Sequence, residues 1–422
     1  MMEKKKIRVA WICSFSNEKM RARLTFDSGG CFKALYKLLG VTLGRETDSA
    51  IWNTNAIEEM EKIDDVELHV ICPVRGLAKK EVMYEENGIH YYFFREQNSD
   101  IVRFAWHQLF TKYSSRYKKN RRVISRFISA IQPDIVHVMG AENPFYSLSL
   151  LDVPSNIPTI IQLQALLTRL VDVTTVKEEK KAFYYKGLME REIIKKANFI
   201  GTKSSIFRQY IIEEIKPDAQ FLDISLAMAQ NINLKECKKE YDFVYFASNI
   251  CKAGEEALKT FAIIHQRHPE LTLDIIGGYD ETLKEKLDAI VLENNMQNAV
   301  TFEGRLETHD DVLSQIRKAR FALIPLKMDF VPNTIREAMA NGLPVVTTIT
   351  NGTPNLNIVR QSVMLSPQDD FEAMADNVEL LLNDSTLANT LKENAFLTEK
   401  ERCNNSDIVK RWQEIYYAIL GQ

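Results

Sequence analysis

The segment Lys327–Thr348 reads KMDFVPNTIREAMANGLPVVTT and holds the densest chemistry of the chain. An apolar run, FALIPL, ends just before it. Asp329 and Glu337 then stand eight positions apart, with Pro332, Asn333 and Thr334 between them. Proline suits the entrance of a helix, and Asn or Thr can cap it. The N–H groups of such a start bind phosphate oxygens, helped by the helix dipole. Glu337 falls about one turn inside that helix, Gly342 closes it, and PVVTT follows as a second strand. The spacing predicts an anion site flanked by two acids at the C-terminal edge of a parallel sheet, where open α/β sheets hold their ligands.

Other residues with chemical potential are weaker when taken singly. His137 lies in an apolar run and reads on its own as a core histidine. Glu142 reads as a helix-start acid, and Gly277–Gly278 and Gly304–Arg305 as strand-end turns. Glu307–Asp311, ETHDD, reads as a solvated cap between a strand and a helix. No acid pair has D-x-D spacing, and no histidines form H-x-x-x-H or H-E-x-x-H, so no metal site is expected. There is no G-x-G-x-x-G after the first strand, no phosphate loop and no G-x-S-x-G nucleophile elbow. Cys13, Cys31, Cys72, Cys237, Cys251 and Cys403 include no C-x-x-C pair, which fits reduced thiols in a cytoplasmic protein.

These residues need a scaffold, and the pattern supplies one. Strands are predicted at Ile7–Cys13, Val66–Cys72, Ile135–Met139, Thr159–Leu163, Phe199–Gly201, Phe243–Ala247, Thr272–Ile276, Val300–Phe302, Phe321–Pro325 and Pro344–Thr348. Amphipathic helical spacing separates several of them, at Ile51–Ile63, Glu255–Arg267 and Asp311–Ala319, and recurs at Ile408–Leu420. Alternation of this kind predicts an α/β protein with parallel sheets. The 422 residues suit two domains, with the rhythm lost at Ile224–Glu240 and restarting at Phe243. The boundaries expected are 1–230, 231–404 and a closing helix, 405–422, that crosses back to the first domain. Asn17–Ala50 lacks periodicity and carries a loop beside the first strand.

Hydrophobic residues at 45% and charged residues at 26% are those of a globular protein, and a net charge of −3 argues against nucleic acid as a partner. The apolar run Ile7–Cys13 after a basic start is too short for a signal peptide, and no run of 18 apolar residues is present. Residues 101–133 stand apart: eight Lys or Arg, no Asp or Glu, and Phe104, Trp106, Phe110, Tyr113 and Tyr117 interleaved. Basic and aromatic faces bind anionic membrane surfaces, so peripheral contact with the inner face of a membrane is one expectation. A solvated helix face, or a patch for an anionic glycan or a partner, is another.

The two acids of Lys327–Thr348, followed by EAMANGLPVV, resemble the retaining glycosyltransferases called group 1, or family 4, whose signature is E-x7-E before A-M-A-x-G-x-P-V. Asp329 stands where that family more often has Glu. Upstream, VYFASNICKAGEEALKTFAII resembles the family's F-V-G-R-x-x-x-x-K-G segment, with Ser248 in place of its Arg, Ala253 at its Lys, and Lys252 next to that position. LTLDIIGG and AVTFEGRL resemble its L-x-I-x-G and V-x-F-x-G-x strands. IQPDIVHVMGAENPFYSLSL and IPTIIQLQAL resemble two stretches of its first domain.

The resemblance covers nearly the whole chain, most specifically residues 240–365. It implies the GT-B fold: two facing Rossmann-like domains with parallel sheets and a cleft between them. It implies a nucleotide-sugar donor, such as a UDP- or GDP-sugar, with no metal and no other cofactor. Glu337 would accept hydrogen bonds from the ribose, Asp329 would face the sugar ring, and Lys252 would offset charge on the leaving diphosphate. Val331, Pro332, Asn333 and Thr334 would hold the diphosphate beside Ser248 and Asn249, and Gly304, Arg305 and Leu306 would read the base. Glu142, Gln164 and His137 would face the cleft toward the acceptor, a glycan, a lipid-linked glycan or a small molecule. A degenerate partner subunit, or a sugar-nucleotide epimerase, is the alternative, motivated by Ser248.

Overall fold

Apolar runs flanked by turn residues become strands at the sites the pattern marks, and two sheets gather them. The computed structural model describes residues 6–26, 48–96, 116–169, 177–227, 237–249, 253–327, 333–350, 352–402 and 404–421. It divides into two units, Met1–Ala227 with Asn405–Gln422, and Met228–Asn404.

In chain order the first unit contains β1 (Ile7–Ile12), α1 (Glu18–Arg23), α2 (Ile51–Met60), β2 (Val66–Val74), β3 (Glu81–Glu86), β4 (Ile89–Arg95) and α3 (Lys118–Ile131). There follow β5 (Ile135–Met139), α4 (Pro144–Ser147), a 3-10 turn at Leu148–Asp152, β6 (Thr159–Gln162), α5 (Lys177–Lys196), β7 (Phe199–Gly201), α6 (Ser205–Glu214) and β8 (Gln220–Leu222). The sheet order is β3-β4-β2-β1-β5-β6-β7-β8. The central strands β1 and β5 are buried almost throughout, as strands covered on both faces must be. The chain leaves β1 toward β2 on one side and returns to place β5 on the other, so the topological switch lies between β1 and β5.

The expectation of purely parallel sheets is corrected at one edge. β3 and β4 pair antiparallel. Their turn is Asn87–Gly88, with φ of 50° and 76°, the backbone that a two-residue hairpin requires.

The last helix, Asn405–Leu420, packs on the first unit and buries Ile408, Val409, Trp412, Ile415 and Tyr416. The Trp412 ring meets Trp11 at 5.4 Å, and its indole N–H donates to the Ser225 carbonyl at 3.2 Å. The Tyr416 hydroxyl accepts from the Trp11 indole N–H at 3.0 Å and lies 2.7 Å from His137 Nδ1.

The second unit alternates strictly: β9 (Tyr241–Asn249), α7 (Gly254–Arg267), β10 (Leu273–Gly278), α8 (Glu281–Glu293), β11 (Val300–Gly304), α9 (His309–Ile316), β12 (Ala319–Ile324), α10 (Asn333–Ala340) and β13 (Val345–Thr348). A 3-10 turn at Thr353–Asn357, β14 (Met364–Ser366), α11 (Phe371–Asn383) and α12 (Ser385–Arg402) complete it. The sheet order β11-β10-β9-β12-β13-β14 is parallel throughout and puts the switch between β9 and β12.

Tyr416→Phe should leave the Trp11 donor and the His137 ring without their shared partner. Orphaning buried polar groups costs roughly 1–3 kcal/mol, about 2–4 °C per kcal/mol for a unit of this size. Scanning calorimetry reads it, and an unchanged melting temperature would show that the hydroxyl does not anchor the helix.

Candidate active site

At the second unit's switch point, the loop after β9 and the loop after β12 come together. Lys327, just beyond β12, pairs with Glu256 in the first turn of α7 at 2.6 Å. The Glu256 hydrogen bond and charge raise the Lys327 ammonium above its ordinary range. Helix α7 starts without a side-chain cap at Ala253. Its first N–H groups therefore stand at the strand edge beside a lysine, an arrangement suited to an anion. Asp329, Val331, Pro332 and Lys252 lie outside the described residues. The side chains of Ser248 and Asn249 do too, although their backbone closes β9.

Helix α10 begins at Asn333, with Thr334 next to it. Its end is fixed by a Schellman pair: Leu343 N–H donates to the Ala338 carbonyl at 3.0 Å and Gly342 N–H to Met339 at 3.1 Å. Gly342 has φ of 71°, a backbone that suits glycine. Between these ends sits Glu337, its side chain 14% exposed. Burial pushes its carboxyl up to about 8 against the partial relief from Arg336, and Glu399 adds repulsion. Arg336 turns to Glu399 at 3.1 Å. Asn333 Oδ1 is buried without a partner.

Gly304 ends β11 at φ of 72°, so Arg305 and Leu306 form the loop into α9. Thr308 and Asp311 close a capping box there, as the solvated-cap reading of Glu307–Asp311 expects. That cap fixes His309 as the first residue of α9 and holds its Nε2 4.0 Å from Glu337 Oε1. Sequence reading passes over His309, because nothing local marks it and only the fold brings it to Glu337.

In the first unit, Glu142 and Gln164 do meet at the C-terminal ends of β5 and β6. With the Gln164 amide turned to suit both neighbours, its nitrogen donates to Glu142 Oε1 at 3.1 Å and its oxygen accepts from the Trp52 indole N–H at 3.0 Å. Trp52 comes from α2 and is a second residue that the sequence does not single out. Gly140, with φ of 100°, lets the carboxyl fold back, since a Cβ there would lie 2.4 Å from Glu142 Oε1. Glu142 Oε2 is buried without a partner, and burial pushes the carboxyl up to about 8. Glu190, on α5, accepts from the Leu167 and Thr168 N–H groups at 2.9 and 3.0 Å and so pins the loop that carries Gln164. Burial raises Glu190 to about 7.

His137 is a correction. Its ring is wholly buried between Trp11, Trp412 and Tyr416, and desolvation lowers it to about 3. It belongs to the core that seats the last helix and does not line a cleft.

Among the described residues, Glu67, His69 and His90 are the one group with metal-ligand proximity. They already serve one another and their neighbours. Glu67 meets Arg8 at 3.3 Å and His69 at 3.0 Å, His69 Nδ1 meets the Tyr92 hydroxyl at 3.1 Å, and His90 lies 3.5 Å from Glu85.

Residues 234–398 match the family described as Glycosyl transferases group 1. The match lies within the second unit. An uncharacterized glycosyltransferase of Haemophilus influenzae is 24% identical over 39% of this chain and 45% of its own length. The capsular polysaccharide biosynthesis glycosyltransferase CapM of Staphylococcus aureus is 24% identical over 40% of this chain and 44% of its own. The chain therefore spans less than half the length of these relatives. Over 99% of the chain and 100% of the other, the fold matches sucrose-phosphate synthase from Thermosynechococcus elongatus, with TM-score 0.69 at 16% identity. The fold is GT-B, two Rossmann-like α/β units. The group 1 match takes in α9, α10 and both switch-point loops, so His309, Lys327 and Glu337 all belong to the domain that carries it.

Glu337 makes stability depend on pH. Unfolded, its carboxyl titrates near 4.5, and the native state holds the proton to about 8. Its contribution is complete below the unfolded value and is lost as pH rises toward 8. Glu337→Gln should match the wild type at pH 5 and exceed it at pH 8.5 by roughly a few kcal/mol. Parallel urea titrations at both values test this, and equal pH slopes for the two proteins would disprove it.

Proposed function

We propose that the chain is a retaining, metal-independent glycosyltransferase. It moves a sugar from a nucleoside-diphosphate sugar to a hydroxyl of a glycan, a lipid-linked glycan or a small molecule. The observation that carries this is Glu337, held one turn inside α10 as a largely buried acid whose carboxyl is pushed up to about 8, beside a helix start. A ribose diol supplies the donors such a carboxyl lacks, and the N–H groups at the starts of α7 and α10 suit the diphosphate that follows the ribose. Fixed dipoles at those helix starts then meet the charge that grows on the leaving phosphate, which is the role a metal fills in other transferases.

On this reading the second unit holds the donor, and the trio Trp52, Gln164 and Glu142 of the first unit reads sugar hydroxyls. As the glycosidic bond breaks, the acceptor oxygen bonds to the anomeric carbon from the face the phosphate leaves. A phosphate oxygen takes the acceptor's proton. The protein contributes positioning and electrostatic stabilisation.

Glu337→Ala should lower turnover by roughly 100-fold or more while keeping the fold. The assay is slow release of free nucleotide from UDP- and GDP-sugars, read beside circular dichroism. Wild-type turnover in that variant would refute the reading. Release of nucleotide without sugar transfer in any acceptor panel would favour the epimerase, and no release at all the partner subunit.

We also propose contact with an anionic membrane surface through the basic face of α3. Ile124, Phe127, Ile128 and Ile131 face inward, while Lys118, Lys119 and Arg122 are exposed. Arg116, Arg121 and Arg126 are committed to Glu192, Asp152 and Glu81. Residues 101–115 of the basic stretch lie outside the described residues. Each exposed cation is worth about 1 kcal/mol near such a surface. The protein should sediment with phosphatidylserine vesicles at low salt and be released at about 0.5 M salt. Lack of sedimentation at low salt would end the proposal.

A further inference from the structure

The first unit gathers a second set of chemical groups at the opposite rim of its sheet. Glu67, His69 and His90 each offer one ligand atom, and these atoms lie within 4.8 Å of one another. Strand register brings them together: His69 on β2 stands directly opposite His90 on β4, and His90 directly opposite Glu85 on β3. Glu67 is two residues before His69 and so shares its face. The group lies toward the N-terminal ends of β2 and β4, whereas Glu142 follows the C-terminal end of β5. No local spacing announces it, because its two histidines come from different strands.

Two imidazoles and one carboxylate suit a borderline divalent cation such as zinc, with water in the fourth place. Glu67 Oε1 and His69 Nε2 are 3.0 Å apart. Two ligands of one tetrahedral zinc ion stand roughly 3.3 Å apart. The remaining contacts are those that orient ligands from outside. Glu67 Oε2 accepts from Arg8 Nε at 3.3 Å, which leaves Oε1 for an ion. His69 Nδ1 meets the Tyr92 hydroxyl at 3.1 Å, which leaves Nε2. His90 Nδ1 lies 3.5 Å from Glu85 Oε2. The two rings stack at 4.7 Å with 12° between their planes, so one must turn before both lone pairs meet one ion. His90 is the one placed to do so: its side chain is 32% exposed against 6% for His69, and the torsion of an imidazole ring is soft.

We propose that Glu67, His69 and His90 form a site for a divalent cation of the zinc class, with Arg8 and Tyr92 orienting two of the ligands. The ion ties β4, and with it the edge strand β3, to β2. It stands at the far rim of this sheet from Glu142, so the proposal does not depend on the function proposed above.

The test is isothermal titration of the full chain, without a histidine tag and stripped by a chelator, with Zn²⁺ and with Mg²⁺. One equivalent of Zn²⁺ should bind, and Mg²⁺, which takes oxygen ligands in an octahedron, should not compete. Co²⁺ in its place should show the visible absorption of a four-coordinate ion. His90→Ala should weaken Zn²⁺ binding by roughly 100-fold. Tyr92→Phe keeps all three ligands and should weaken it by about tenfold. His268→Ala, which removes an imidazole paired with Glu379 in the second unit, should leave the titration unchanged. Circular dichroism confirms that the variants are folded. Equal Zn²⁺ affinity in His90→Ala and the wild type, equal losses in His90→Ala and His268→Ala, or no binding by the wild type overturns the proposal.

Discussion

A largely buried carboxyl that holds its proton is the tension around which the second unit is arranged. Glu337 holds its proton to about 8 because burial disfavours its charge, and the neighbouring arginine, engaged by Glu399, relieves this only in part. A structure that stabilised itself first would turn Arg336 inward. Here α10 is stiffened by a Schellman end and by an ion pair on its flank. The cost falls on folding and the benefit on any ligand that brings hydroxyl donors, since hydrogen bonds to the ionised form bring such a carboxyl down again.

The first unit repeats the device with different parts. Glu142 also rises to about 8, again through burial, and its Oε2 has no partner. Its geometry depends on a glycine rather than a helix: Gly140 at φ of 100° lets the carboxyl lie against the strand end. Gln164 and Trp52 then fix which hydrogen bonds remain available. Each unit thus carries one buried acid that holds its proton to about 8, near the point where its strand order reverses. Parallel sheets place loops there, and loops are where backbone can be shaped around a ligand without breaking a ladder.

Much of this was legible in the sequence because parallel strands buried on both faces are continuous apolar runs. All ten predicted strands appear, most with an end displaced by one or two residues. The edge was harder. Glu81–Glu86 and Ile89–Arg95 mix charged and aromatic residues on a half-exposed sheet face, although the Asn87–Gly88 turn was there to be read. The three-residue strands Gln220–Leu222 and Met364–Ser366 are too short for any period to show. His137 illustrates a different limit. Its strand, register and neighbours Asp134 and Gly140 suit a site residue, but side chains alternate along a strand, and its face is the one the last helix covers.

The two units differed in legibility for a reason of chain geometry. In the second, the acid, the helix start, the closing glycine and the following strand all lie within Lys327–Thr348, so one local segment betrays the site. In the first, Trp52, Glu142, Gln164 and Glu190 come from four separate elements, and their hydrogen bonds exist only once the sheet has brought α2 beside β5 and β6. His309 belongs to the same class: 28 positions from Glu337, on another helix, identified by a 4.0 Å distance and by nothing in its own flanks. Local motifs therefore reveal what a single turn can build. Groups that converge on one point from several elements are set by contacts that the sequence alone does not order.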